Sequence, residues 1–146
     1  MVTTEPFSGS KVALFLGDQL LITLRDDFDH IPFPNLWDFP GGARDNDETP
    51  FQTLAREVME EVGLVLPREA ILWESAFPAA NNPDARIWFF VAQMPAGTEA
   101  DIVFGDEGQG WKLVSLADFL EMKQVVPTFA GRLRVWMAET GGLSEG

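Results

Sequence analysis

Residues 49–63 constrain this chain more than any other stretch, because they spell a helix with both of its ends marked. Thr49 is a capping residue, Pro50 suits the first helical position, and Gly63 stands just past the last periodic residue. The stretches on either side read differently. Residues 11–17 and 20–25 are short apolar β-leaning runs separated by Gly17-Asp18-Gln19, which predicts a hairpin or early strand pair. Residues 26–35 form an acidic, proline-containing loop that leads into the short run 36–40, where Gly41-Gly42 is expected to break any strand. Beyond the helix, residues 71–79 and 86–93 flank the turn signal Asn81-Asn82-Pro83-Asp84 and should pair as an antiparallel hairpin. Residues 102–104 and 111–114 are short strand candidates around Gly105-Asp106-Glu107-Gly108-Gln109-Gly110. A helix capped by Ser115 and another after Pro127 come next, with a frayed tail after Thr140. Strands mixed with two or three helices predict an α+β or α/β/α layered domain, and one domain over residues 1–146.

Chemistry is narrowed by what the chain lacks. It has no cysteine and a single histidine, His30, so thiolate nucleophiles, disulfides and the usual zinc sites are excluded. Its 23 Asp and Glu residues offer hard oxygen ligands instead, which points to magnesium, manganese or calcium. The net charge of -13 argues against a nucleic-acid polymer as partner, since polymer binding draws on a basic surface. The apolar run 13–16 is too short for a signal or membrane segment, so the expected location is soluble and cytoplasmic, with no membrane partner.

On a helical wheel, placing Glu57 at zero puts Glu61 about 40° to one side and Glu60 about 60° to the other, while Phe51, Leu54, Val58 and Val62 share an adjoining arc. Three carboxylates therefore crowd one face with no lysine among them, an arrangement that repels itself in an isolated helix. A divalent cation would turn that repulsion into ligation. On charge alone, a solvated acidic face is the favoured reading, and the surrounding residues overturn it.

From Gly42 the chain reads Gly, five residues, Glu48, seven residues, Arg56-Glu57-Val58, one residue, Glu60-Glu61, one residue, Gly63-Leu64. Chance agreement at a given start is on the order of one in ten to the eighth from average residue frequencies. The pattern matches the complete Nudix box, over residues 42–64, and Trp37-Asp38-Phe39-Pro40-Gly41 resembles the segment that precedes it in that family. The resemblance implies an α+β fold, an α/β/α sandwich with a mixed sheet, and a metal-dependent hydrolase that splits a pyrophosphate bond in a nucleoside diphosphate linked to another moiety: a nucleoside triphosphate, ADP-ribose or a nucleotide sugar. It implies Mg2+ or Mn2+ held by Glu57, Glu60 and Glu61, with the Gly41 carbonyl as a further ligand, and Glu48 and Arg56 tying the loop to the helix. A small-molecule nucleotide is the partner it implies, and a homodimer is a common assembly among relatives.

A general base is still wanted for the attacking water. A helix glutamate could serve, or a loop carboxylate outside the box; here Glu107 is the candidate and Asp106 its nearest competitor. Arg25 and Arg44 are candidates to hold substrate phosphates, because guanidinium forks match phosphate oxygens. Phe33, Trp37, Trp88 and Phe90 are candidates to stack a base, against the ordinary expectation that such rings are core. His30 receives no role. A calcium-loop reading of Asp45-Asn46-Asp47-Glu48 fails because Thr49-Pro50 interrupts the ligand series. A catalytically silent domain of the same fold, binding a nucleotide as a sensor, is the alternative, and the intact box weighs against it.

Overall fold

Alternation along the first strand shows why the sheet lies in the middle of the molecule. In β1 (Gly9–Leu16), Val12, Leu14 and Leu16 point to one face while Ala13 and Phe15 point to the other, and all five are buried. A strand buried on both sides needs cover on both sides. The structure, a computed structural model that describes residues 6–79 and 82–143, supplies it. One face carries α1 (Pro50–Val62), whose Leu54, Val58 and Val62 pack on Val12, Leu14 and Leu21. The other carries α2 (Leu116–Glu121) and α3 (Phe129–Thr140), whose Phe119, Phe129, Leu133 and Trp136 pack on Ala13, Phe15 and Ile22. The expected α/β/α sandwich with a mixed sheet is observed.

The sheet also contains β2 (Gln19–Leu24), β3 (Trp37–Asp38), β4 (Gly41–Ala43), β5 (Ile71–Ala79), β6 (Asn82–Met94) and β7 (Gly110–Ser115). β1 runs parallel to β6 from Gly9↔Ile87 to Leu16↔Met94, and the other pairings are antiparallel. The opposite edge of β1 is shared. Near its end, Phe15 and Leu16 pair with Leu20 and Gln19 of β2; at its start, Gly9–Lys11 pair with β4. β2 in turn meets β3 through Thr23 and Leu24. The β1 and β2 ladders thus diverge, and residues 37–43 wedge between them, pinned to β2 by Asp38 and to β1 by Gly41.

The helix signals hold. Thr49 Oγ1 accepts from the Gln52 amide at 3.2 Å, and Gln52 Oε1 accepts from the Thr49 amide at 2.9 Å, a reciprocal capping box. Gly63 closes α1 in the left-handed region at φ 69°, its amide donating to the Met59 carbonyl at 3.0 Å. Three other expectations are corrected. Gly41-Gly42 does not break a strand but is one, because a Cβ at Gly41 would collide with the Ser10 carbonyl across the β1 pairing. Residues 102–104 are not a strand. The amides of Val103 and Gly105 donate to the carbonyls of Val62 and Glu61, satisfying groups left open at the end of α1. Asn82, Pro83 and Asp84 belong to β6, whose pairing Ala79↔Asn82 makes the hairpin tighter than a four-residue turn; Asn81 lies outside the described residues.

Candidate active site

The wedge delivers Asp38 and the double glycine to the end of α1's acidic face. Lys11, the one charged residue in β1, reaches in from below. Its Nζ donates to Asp38 Oδ2 at 2.9 Å and to the carbonyls of Phe39 and Gly41 at 3.2 Å each. Arg25, just past β2, donates to Asp38 Oδ2 at 2.9 Å and to the Pro32 carbonyl at 2.9 Å. Asp38, almost fully buried, is thereby neutralised by two cations.

Of the three helix carboxylates, two face this centre. Glu61 Oε1 accepts from the Gly41 amide at 2.9 Å. Burial pushes its carboxyl up to about 7, opposed by the Lys11 charge and the Gly41 amide and reinforced by repulsion from Asp38 and Glu57. Glu57 lies so close under Gly42 that a Cβ there would sit 2.5 Å from Glu57 Oε2. Glu60 stands apart. Its side chain is 57% exposed and accepts from Arg56 Nη1 at 3.2 Å.

Arg56 is the knot that ties the loop to the helix. Its Nε and Nη2 donate to the two oxygens of Glu48 at 2.8 and 3.1 Å, Nη2 also reaches the Ala43 carbonyl at 2.9 Å, and Nη1 holds Glu57 at 2.8 Å. Glu48 accepts as well from the Asp45 amide and the Thr53 hydroxyl. The Arg56 hydrogen bonds, foremost, hold the Glu48 carboxyl down at about 2 despite some desolvation. Arg44 belongs to this knot rather than to the cavity. Its Nε donates to the Glu48 carbonyl at 2.9 Å and its guanidinium covers the Phe7 ring at 4.3 Å.

A cavity of about 650 Å³ brings together Lys11, Arg25, Glu57, Glu61, Asp106 and Glu107, with Gly41 and Gly42 in its wall. Asp106 and Glu107 are both exposed there, on a loop anchored by Gly108, whose amide donates to Asp26 Oδ2, and by Gln109, whose side chain donates to the Arg25 carbonyl at 2.7 Å. Gly105 must be glycine, since a Cβ would meet the Glu60 carbonyl. Among the described residues, no group of three or more acidic or histidine side chains stands in ligating arrangement. The donor chemistry nonetheless fits a hard cation: Glu57 and Glu61 face one cavity, and the Gly41 carbonyl already takes the Lys11 ammonium. His30 lines the same cavity, stacked on Phe28 with centroids 5.5 Å apart.

A second cavity, about 330 Å³, shares Lys11, Arg25, Asp38, Gly42 and Ala43 with the first and continues beneath α3. Phe33, held at φ 51°, forms part of its wall. The other aromatic candidates lie elsewhere: Phe90 is core, Trp88 packs half-buried against the α1 side, and Trp37 lies under the Lys112 ammonium at 4.5 Å. Sequence reasoning missed Lys11, Asp38 and Arg132. The signal for Lys11 was a lone cation opening an apolar strand, and for Asp38 a lone acid between Trp37 and Phe39.

Comparison with known proteins bears on the family and the fold. The NUDIX domain family model matches residues 9–136. An RNA pyrophosphohydrolase of Tolumonas auensis is 34% identical over 111 residues, covering 62% of this chain and 61% of that protein. An 8-oxo-dGTP diphosphatase of Escherichia coli is 31% identical over 100 residues, 68% of this chain and 72% of that protein. The chain thus spans under two thirds of the first relative's length. The crystal structure of a MutT protein from Methanosarcina mazei superposes with a TM-score of 0.72 at 21% identity, covering 94% of this chain and 98% of that one. With the box intact and the fold shared, the chain belongs to the Nudix family.

Proposed function

We propose that this protein is a metal-dependent hydrolase that uses water to split the pyrophosphate bond of a nucleoside diphosphate linked to another moiety. One observation carries the reading: Glu57, Glu61, Asp106 and Glu107 line the same cavity as Lys11 and Arg25, against the Gly41-Gly42 segment of β4. A pyrophosphate is a polyanion, and a cavity combining carboxylates with two cations suits it only when a further positive charge is present. Mg2+ or Mn2+ would be held by Glu57 and Glu61, with the Gly41 carbonyl and Glu60 as further ligands. Bound there, the ion would neutralise phosphate charge and acidify a water.

The chain's own residues then have distinct tasks. Arg25 holds phosphate oxygens through its guanidinium, while Lys11, whose three N–H groups are taken by Asp38, Phe39 and Gly41, contributes its charge from the cavity wall. Glu48 and Arg56 keep α1 and the loop in register, so that Glu57 faces inward. Glu107 holds the proton taken from water, with Asp106 beside it on the same wall. Arg44, outside both cavities, stiffens the loop.

Phosphate release would be followed across nucleoside triphosphates, ADP-ribose, nucleotide sugars, dinucleoside polyphosphates and 5′-triphosphorylated RNA, with Mg2+, with Mn2+ and with chelator. Turnover of one substrate that requires metal, and falls by about 10²-fold or more in Glu57→Gln and Glu61→Gln, supports the hydrolase. Tight binding without turnover of any substrate would instead favour the silent sensor. Glu107→Gln separates the bases: loss of the acidic limb of the kcat profile marks Glu107, and an unchanged profile passes the role to Asp106 or a helix glutamate.

A further inference from the structure

Lys11 makes more bonds than an ion pair with Asp38 needs. Asp38 already has the Arg25 guanidinium on its Oδ2 at 2.9 Å, and its Oδ1 accepts from the Phe39 amide at 2.7 Å. The Lys11 ammonium adds a contact to the same Oδ2 at 2.9 Å and turns its other N–H groups to the carbonyls of Phe39 and Gly41, at 3.2 Å each. One carboxylate oxygen and two carbonyls, all from residues 38–41, thus converge on a single positive charge. That is the kind of oxygen set a hard cation takes, and here the chain fills it with a cation of its own.

The same ammonium stands at the wall of the carboxylate cavity, its side chain 15% exposed. Its charge reaches Glu61, where it is the first influence to oppose the burial that pushes the carboxyl up. Gly41 joins the two groups. Its amide donates to Glu61 Oε1 at 2.9 Å while its carbonyl accepts from Lys11, and the Lys11↔Gly41 pairing of β1 with β4 keeps the backbone in that orientation. A carbonyl oxygen has two lone pairs, so a second cation could share it on geometry alone. Charge opposes the sharing, because a divalent ion and an ammonium on one oxygen repel strongly even at the effective dielectric of a site near the surface.

We propose that Lys11 is a positioning residue, a tethered cation that holds the Phe39 and Gly41 carbonyls in place while the site is metal-free and competes with a divalent ion for the Gly41 carbonyl. This rests on the reading of the Glu57 and Glu61 cavity as a metal site. The site is then assembled before metal arrives, and metal binds more weakly than the same carboxylates would otherwise hold it.

The test is Mn2+ binding by the substrate-free protein, followed under argon from the electron paramagnetic resonance of the free ion at about pH 8.5, above the value of about 7 to which Glu61 is pushed. Lys11→Met and Lys11→Gln should each bind Mn2+ at least about tenfold tighter than the wild type. Arg25→Gln takes the other cation from Asp38 but leaves the Gly41 carbonyl occupied, and should change the affinity by about threefold or less. Thermal midpoints give a second readout: in chelator both Lys11 variants should melt below the wild type, and saturating Mn2+ should narrow the gap. Should Lys11→Met not fold, Lys11→Gln, which keeps an amide donor, decides. Unchanged or weaker binding in the Lys11 variants, an equal gain in Arg25→Gln, or a midpoint gap that metal does not narrow overturns the proposal and leaves the metal site standing. Mn2+ bound by none of these proteins removes the metal reading and this inference together.

Discussion

Two glutamates in and beside α1 are perturbed in opposite directions, and each leaves its own mark on stability. Glu48 is held down at about 2 by Arg56, so the folded state binds its proton less readily than the unfolded chain. Its contribution is present above about 4.5 and is lost as pH falls toward 2. Glu61 is pushed up to about 7, chiefly by burial. Between 4.5 and 7 the folded, metal-free protein keeps a proton that the unfolded chain releases, so stability falls as pH rises through that window. Urea midpoints in chelator should therefore rise from pH 2 to 4.5 and decline from 4.5 to 7. Glu48→Gln flattens the first limb and Glu61→Gln the second. Gly42→Ala is a third residue-level prediction: its methyl would press on Glu57, so activity should fall at least tenfold while the thermal midpoint moves by only a few degrees.

At the scale of elements, α1 joins local and long-range information. Its ends were legible because caps are local chemistry: Thr49 and Gly63 sit within a few residues of the groups they satisfy. Thr49→Ala should cost about 1 kcal/mol, and Leu54→Ala, on the buried face, roughly 2–5 kcal/mol, both read from urea midpoints at unchanged m-value. The elements around it were harder to read. Residues 102–104 are as apolar as a strand, but the free carbonyls of Glu61 and Val62 claim the amides of Gly105 and Val103. Gly41-Gly42 looks like a break because glycine penalises strands, yet β1 approaches so closely there that only glycine fits. The carboxylates of the box were visible at fixed spacing, whereas Lys11 and Asp38 meet across 27 residues of chain. Arg132 gave no signal at all, since a cation on a helix normally faces water and only the packing of α3 over Phe77 and Phe89 buries it.

Taken as a whole molecule, the protein sets a net charge of -13 against the proposed site for a polyanion. Added salt should screen the repulsion between substrate and surface, so kcat/KM for a nucleotide at saturating Mg2+ should hold or rise modestly from low to physiological ionic strength. A protein engaging a nucleic-acid polymer would show the opposite, a steep loss with salt. None of the described helices is long and apolar enough to cross a membrane.

The wedge between β1 and β2 also governs which changes of chain length the molecule can absorb. Asp38 is bonded into one ladder and Gly41 into the other, so the short path between them is held at both ends and cannot slide. One residue inserted or deleted there would turn the Gly41 amide away from Glu61 and reverse the facing of the β4 residues beyond it. The loop at 26–35 belongs to neither ladder; the Asn35 amide closes it onto the Asp26 carbonyl and Arg25 ties down Pro32, and gains or losses of sequence between those ties would alter the rim of the cavity while leaving its floor intact. Length variation in descendants of this chain should therefore accumulate before Trp37 and stop there.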